Sequence, residues 1–247
     1  MHLIDRVAHT NRLSTRSGVE KVAFALGMLV LAVALPPWPG DVIVLTVLVV
    51  ATVGFARVPV GSYVKLLTAP LAFLVAGVLP LLVSVRFGGP WVLHLGLAAD
   101  GPALALRVTL RSMAGVSCLL FLALSTPVPQ ILAVLRSAGV PAVVTEVALL
   151  VYRYIWVFVD TVTSIRVSQA SRLGYRSLPS SYRSLAMLSA SFFGQTLARA
   201  RATEYGLEAR NWQGELRVLD DGAAASLAGL TLVVLVLVAT VAATVLW

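Results

Sequence analysis

The sequence predicts an all-α integral membrane protein with about five transmembrane helices and a helical cytoplasmic insert between the fourth and last spans. Hydrophobic residues make up 59% of its 247 positions and charged residues only 12%, and the mean hydropathy is +0.92. A soluble domain carries about a quarter charged residues. The basic stretch 127–222, between apolar segments, contains too many arginines to lie in lipid.

Five apolar segments are long enough to cross a bilayer, some with the help of flanking residues. They are residues 22–35, 42–56, 66–85, 103–124 and 227–247. A proline-rich turn joins the first two into a hairpin, and Pro70 and Pro80 predict kinks in the third. We therefore divide the chain into an N-terminal arm (1–21), four transmembrane helices (22–126), a largely cytoplasmic helical module (127–222) and a last transmembrane helix (223–247).

Lys and Arg predict the orientation. The arm contains Arg6, Arg12, Arg16 and Lys21, whereas the turn 36–41 contains neither residue type. The N-terminus and the basic module are therefore expected in the cytoplasm, and the C-terminus outside.

One segment, 140–159, is apolar enough to be a sixth span. A crossing there would put either the loop 127–139 or the basic module on the wrong side of the membrane. We favour a long helix that starts partly buried against the bundle and leaves the membrane over 161–173. The spanning version remains the alternative.

The remaining composition excludes several classes of protein. The net charge is +8, but no zinc-finger spacing or basic patch with interleaved aromatic residues accompanies it, so nucleic-acid binding is not expected. The single cysteine, Cys118, lies in an apolar run and predicts a buried small side chain rather than a disulfide or metal cluster. The polar arm lacks a cleavage site, so no signal peptide is expected. The phosphate-loop motif of ATPases is also absent.

The module contains signals for several helices. Leu173-Gly174 predicts one helix end, with the glycine suited to a left-handed cap. Ser177 to Ser180 predicts a restart, and apolar residues recur at helical spacing from Tyr182. We predict a break at Gly206 and a short helix over 207–216. Two helices would then end near Arg172 and Arg210. These arginines would either complement helix dipoles or pair with carboxylates of a cytoplasmic partner.

Several short sequence motifs together resemble those of a known family. They are Leu-Ser-Thr-Pro-Val-Pro (124–129), Gly-Val-Pro (139–141), Tyr-Arg-Tyr (152–154), Glu-Ala-Arg-Asn-Trp-Gln-Gly-Glu-Leu (208–216) and, in the arm, residues 4–6, 10–13 and Lys21. This pattern is similar to the CbiQ-type transmembrane (T) component of energy-coupling-factor (ECF) cobalt transporters. The resemblance covers nearly the whole chain.

The resemblance implies a non-catalytic scaffold and coupling subunit of an importer in the bacterial cytoplasmic (inner) membrane. In that family two Ala-Arg-Gly-like motifs each dock into one of two ABC-type ATPase subunits, which hold ATP and Mg²⁺. Here the motifs are Ser171-Arg172-Leu173 and Ala209-Arg210-Asn211, so both lack the glycine. The other implied partner is a substrate-capturing membrane subunit that is CbiM-like, with a CbiN-like small subunit as an optional further component. Within this chain no cofactor, metal or catalytic residue is expected.

Several alternatives remain. Overall similarity and length favour cobalt, but nickel or a vitamin such as biotin stays open as substrate. His2 beside the terminal amine is a weak candidate for metal capture. A self-contained secondary transporter would need inverted repeats and acidic residues at the membrane midplane, and the sequence shows no convincing repeat and almost no acidic residue in the spans. A membrane enzyme would need a set of catalytic residues at recognisable spacing, and the sequence shows none. Arg107 and Arg111 would either line the bundle or snorkel to headgroups, and we favour snorkelling.

Overall fold

The computed structural model describes residues 3–87, 93–97, 101–211 and 226–246, with nine helices in these ranges. The helices are α1 Leu3–Thr10, α2 Gly18–Ala34, α3 Pro37–Val49, α4 Val60–Val78, α5 Gly101–Ser125, α6 Val128–Ser137, α7 Ala142–Ser171, α8 Leu178–Glu208 and α9 Leu227–Val245. The predicted helical fold class is confirmed. A short antiparallel hairpin of β1 Val83–Phe87 and β2 Leu93–Leu97 is the one sheet in the described part of the chain.

Five helical segments are long and apolar enough to cross a membrane. They are Pro37–Phe55, which is α3 with a π-helical extension, Val60–Leu82, which is α4 with a 3₁₀ extension, Gly101–Ser125, Ala142–Ser171 and Leu227–Val245. Four of them correspond to predicted spans. The first predicted span corresponds to α2, whose 17 residues extend for about 26 Å. The chain is therefore a multi-pass membrane protein.

The third predicted span, 66–85, is displaced relative to the structure. Its helix begins at Val60, and residues 83–85 belong to β1 instead. Pro80 lies in the 3₁₀ extension Leu79–Leu82, where a missing N–H ends regular helical pairing. Hydropathy alone does not register this change from helix to strand.

The chain divides into two compact units, Met1–Val134 with Asp221–Trp247, and Leu135–Asp220. In the first unit, α2, α3, α5 and α9 share an apolar core. Its fully buried side chains include Met28, Leu48 and Cys118, and the rings of Phe24 and Phe121 meet edge to face with centroids 5.0 Å apart. The predicted burial of Cys118 is confirmed.

The second unit is built on the helix pair α7 and α8. Phe158 meets Phe192 edge to face at 5.3 Å, and Tyr154 stacks on Phe158 at 5.8 Å. The Tyr154 and Thr203 hydroxyls share a hydrogen bond. The predicted long helix from the apolar segment 140–159 into 161–173 is therefore present as α7. Whether it crosses the membrane stays a prediction.

Two predicted details of the basic stretch are wrong. Residues 127–139, interpreted as a loop, contain α6, which ends at Ser137, and Gly139 beyond it adopts φ 97°. The predicted break at Gly206 does not occur, because α8 continues to Glu208. A glycine inside a helix costs only about 1 kcal/mol, which the rest of a long helix offsets. Of the predicted short helix 207–216, two residues end α8, 209–211 form a turn, and the remainder lies outside the described residues.

Candidate functional site

The first arginine motif forms the C-terminal end of α7. Helical backbone ends at Ser171, and Leu173, rather than the predicted Gly174, adopts the left-handed conformation with φ 58°. The Leu173 N–H donates to the Ala170 carbonyl at 3.0 Å, and the Gly174 N–H donates to the Gln169 carbonyl at 2.9 Å. This pair of hydrogen bonds is the Schellman motif that closes helix C-termini. The Gln169 and Ala170 carbonyls at the end of α7 are therefore satisfied by backbone N–H groups, without the Arg172 side chain.

The turn after Arg172 is held by the Gly174 carbonyl. It accepts hydrogen bonds from the hydroxyls of Ser180 at 2.8 Å and Ser184 at 2.9 Å. The Gln169 amide donates to the Ser184 carbonyl at 2.9 Å and accepts from the Tyr175 hydroxyl at 2.7 Å. Because these contacts join α7, the turn and α8, the loop carrying Arg172 is fixed from both sides.

The second arginine motif has a similar backbone. After α8 ends at Glu208, the Arg210 N–H donates to the Leu207 carbonyl at 3.1 Å and the Asn211 N–H to the Glu208 carbonyl at 2.9 Å. Asn211 adopts φ 55°. In both motifs, the residue after the arginine is therefore left-handed, the conformation that glycine adopts most readily. Leu173 and Asn211 thus adopt a conformation that would also suit a glycine at the same position.

Both arginines are exposed on the second unit. The ion pair of Arg111 with Asp41 in the first unit involves neither of them. All six predicted site residues, 171–173 and 209–211, are described. The residues sequence reasoning missed are Gln169 and Ser184, which support the first turn. The serine-rich run after Leu173-Gly174 predicted that a new helix begins there, but it did not predict which groups its serine side chains contact.

The other candidate residues have different outcomes. Arg111 donates to the Leu35 carbonyl at 2.7 Å and its Nε lies 3.6 Å from Asp41 Oδ2, whereas Arg107 is exposed. Snorkelling of either side chain to the headgroups stays a prediction. His2 lies outside the described residues. Among the described residues, no group of three or more potential ligands is placed to hold a metal ion.

Comparison with known proteins identifies the family. Residues 10–219 match the cobalt transport protein family CbiQ. The chain belongs to the CbiQ family. It is 40% identical over 243 residues to "Cobalt transport protein CbiQ" of Rhodobacter capsulatus, covering 98% of each chain. It is 29% identical to the CbiQ protein of Salmonella typhimurium, covering 87% of this chain and 99% of that one.

A third relative differs in length. The "Putative fused cobalt transport protein CbiMQ" of Methanocorpusculum labreanum is 28% identical over 86% of this chain, but the match covers 37% of that protein. Both arginine motifs lie inside the region matched to CbiQ. This CbiQ-family chain is thus a membrane component of cobalt transport, and its two arginine loops lie in the shared part of the family.

Proposed function

We propose that this chain is the non-catalytic scaffold and coupling subunit of an ECF-type importer for cobalt. The observation that carries the proposal is the matching geometry of the two motifs, in which an exposed arginine at a helix end precedes a left-handed residue. A planar, permanently charged guanidinium suits bidentate pairing with a carboxylate. Two such loops fit two equivalent grooves on two ABC-type ATPase subunits.

Helix α8 supports this assignment, because the two loops flank it. Arg172 precedes it, Arg210 follows it, and its 31 residues extend for about 46 Å. A rod of this kind would keep one arginine on each ATPase subunit. Closure of the subunits around ATP and Mg²⁺ would then move both ends of α8 and transmit the movement to a substrate-capturing membrane subunit.

The capturing subunit is proposed to be CbiM-like, with a CbiN-like small subunit as an optional further component. The fused CbiMQ relative supports this partner, because that protein's printed name joins the two components in one chain. In this proposal the complex lies in the cytoplasmic membrane, with the arm and both arginine loops on the cytoplasmic side. Cobalt is the favoured substrate. If the complex takes up nickel or a vitamin instead of cobalt, the proposed substrate changes and the proposed coupling role does not.

The test is charge reversal at each arginine. Arg172→Glu or Arg210→Glu would place like charges together and leave a partner carboxylate unpaired, at a cost of about 2 to 5 kcal/mol per site. We expect the affinity for the ATPase subunits to fall by about thirtyfold or more. Co-purification and cobalt uptake are the measurements, and the purified chain without partners is expected to show no ATP turnover.

Arg176→Glu is the matched control, since Arg176 is an exposed arginine in the first turn but outside the motif. Simple complementation of helix dipoles would be worth less than about 1 kcal/mol and would be screened by salt. Full assembly and uptake by both motif variants would exclude the coupling role.

A further inference from the structure

The segments that lead into and out of the second unit are both bound by adjacent residues of α2. Residues 125–134 lead towards the second unit, and α9 follows it. Lys21 holds the first segment and Glu20 holds the start of the second. Both side chains are buried, with Glu20 9% and Lys21 4% exposed. Buried charges of this kind are costly unless paired, so their placement requires an explanation.

Lys21 has all three of its donors engaged. Its Nζ donates to the Leu13 carbonyl at 3.0 Å, the Ser125 carbonyl at 3.2 Å and Gln130 Oε1 at 2.7 Å. Lys21 precedes the first predicted span, and burial lowers its pKa to about 8, while the Glu20 carboxylate raises it. The three acceptors around its Nζ match the three N–H donors of an ammonium. One cation thus joins the arm, the end of α5 and the first turns of α6.

Neighbouring contacts tighten the same connection. Gln130 uses its amide to donate to the Ser14 carbonyl at 2.8 Å, and Asn11 donates to the Leu124 carbonyl at 2.8 Å. A Cβ added at Gly18 would lie 3.2 Å from Gln130 and Val134. Helix α6 therefore packs directly on the first turn of α2.

Glu20 makes the second connection. Its Oε1 accepts from the Ser226 N–H at 3.0 Å, directly before α9 begins at Leu227. A carboxylate is favourable at a helix N-terminus because free N–H groups and the helix dipole meet it there. A Cβ added at Gly229 would overlap the carboxylate, so the glycine leaves room for this contact.

We propose that Glu20 and Lys21 are positioning residues that join the membrane bundle to both chain connections of the second unit. This inference rests on the proposed coupling function. Movement of the second unit reaches the bundle through residues 125–134 and through the start of α9, and the two adjacent side chains make both connections move with the first turn of α2. Without them the ATPase cycle continues but is transmitted less effectively to the transmembrane helices.

The experiment uses the whole importer complex in proteoliposomes and measures cobalt uptake per ATP hydrolysed. Lys21→Met removes the cation, and Gly229→Ala displaces the Glu20 carboxylate without changing either charged residue. We expect each to lower uptake per ATP by about tenfold, while co-purification with both ATPase subunits and ATP hydrolysis remain near wild-type values. Glu20→Gln keeps an acceptor for Ser226 and is expected to retain most of the uptake.

Arg16→Met is the control, because Arg16 is an exposed cation of the same arm. Unchanged uptake per ATP in both Lys21→Met and Gly229→Ala would overturn the proposal. A parallel loss of assembly, thermal stability and uptake would overturn it too, by assigning these residues to folding alone. Failure of the wild-type chain to bind ATPase subunits would instead refute the proposed function, and this inference with it.

Discussion

Leu173 and Asn211 show at the residue scale that a left-handed backbone at a helix end does not require glycine. Both are left-handed, with φ 58° and 55°. The Schellman hydrogen bonds hold Leu173 there, and asparagine tolerates this conformation better than most residues. The positions therefore require a backbone conformation rather than a particular side chain.

Replacing Leu173 tests this requirement. A non-glycine residue in the left-handed region costs about 1 to 2 kcal/mol, and the greater freedom of glycine in the unfolded chain takes back part of the gain. We expect Leu173→Gly to raise the free energy of unfolding by up to about 1 kcal/mol, and Leu173→Val to lower it, because a branched Cβ crowds this conformation. Unfolding of the purified chain in mild detergent is the measurement. Equal stability of the two variants would contradict the argument.

Asp41 and Arg111 provide a second residue-scale prediction. Asp41 is completely buried, and in the described part of the chain Arg111 is its one ion-pair partner. Arg111→Leu leaves this carboxylate without a cation, at a cost of about 2 kcal/mol or more. Adding Asp41→Asn to that variant is expected to restore part of the loss, because the unpaired charge is gone. Unfolding in detergent measures both, with exposed Arg107→Leu as the control; equal losses in Arg107→Leu and Arg111→Leu would disprove the pairing.

At the element scale, the turn between α7 and α8 determines where Arg172 points. Gly174 lies at its centre, and its carbonyl receives the two serine hydroxyls. A Cβ at this position would lie 2.6 Å from Ser184 Oγ and 2.8 Å from the Gln169 carbonyl oxygen. The second contact is with helix backbone, which cannot move aside as a flexible side chain does.

Gly174→Ala is therefore expected to disturb the turn and weaken binding of the ATPase subunits, with a loss of the same sign as Arg172→Glu. Ser184→Ala removes the nearer contact, but it should not rescue the variant, since the contact with the Gln169 carbonyl remains. Co-purification of the single and double variants is the measurement. The control is Gly194→Ala in α8, where an added Cβ meets nothing within 4 Å. Rescue by Ser184→Ala would show that the hydroxyl, not the backbone, limits the turn.

For the whole molecule, orientation in the membrane is the main prediction. We expect the arm and residues 175–221 in the cytoplasm and Trp247 on the opposite side. The natural Cys118 is 1% exposed, so it should contribute little background to labelling with a membrane-impermeant maleimide. Arg183→Cys in intact cells should resist external labelling, and Trp247→Cys should react. External labelling at position 183 would instead indicate that α7 crosses the membrane.

The sequence by itself determined the membrane class, most of the helices and the placement of Arg172 at a helix end. It also placed Arg210 near a helix end, but on a separate short helix 207–216, whereas Arg210 follows the end of α8. Hydropathy, helical spacing and turn residues are properties of short segments, so they can be interpreted without knowing the fold. The same locality explains the errors. Gly206 is typical of a helix break, but the stability of the rest of α8 offsets the cost of a glycine inside the helix. Residues 127–139 have the composition of a loop, but they contain α6, which packs on α2.

Only the tertiary structure decided which polar side chains meet. Lys21 and Gln130 are 109 positions apart, and Glu20 and Ser226 are 206 apart; no periodicity relates such pairs. Their contacts depend on how α2, α5, α6 and α9 pack together. The sequence could identify Lys21 as part of a resemblance and Arg111 as a charge near a span end. Their partners were decided by burial, because a charge removed from water is stable only where packing brings acceptors or an opposite charge to it.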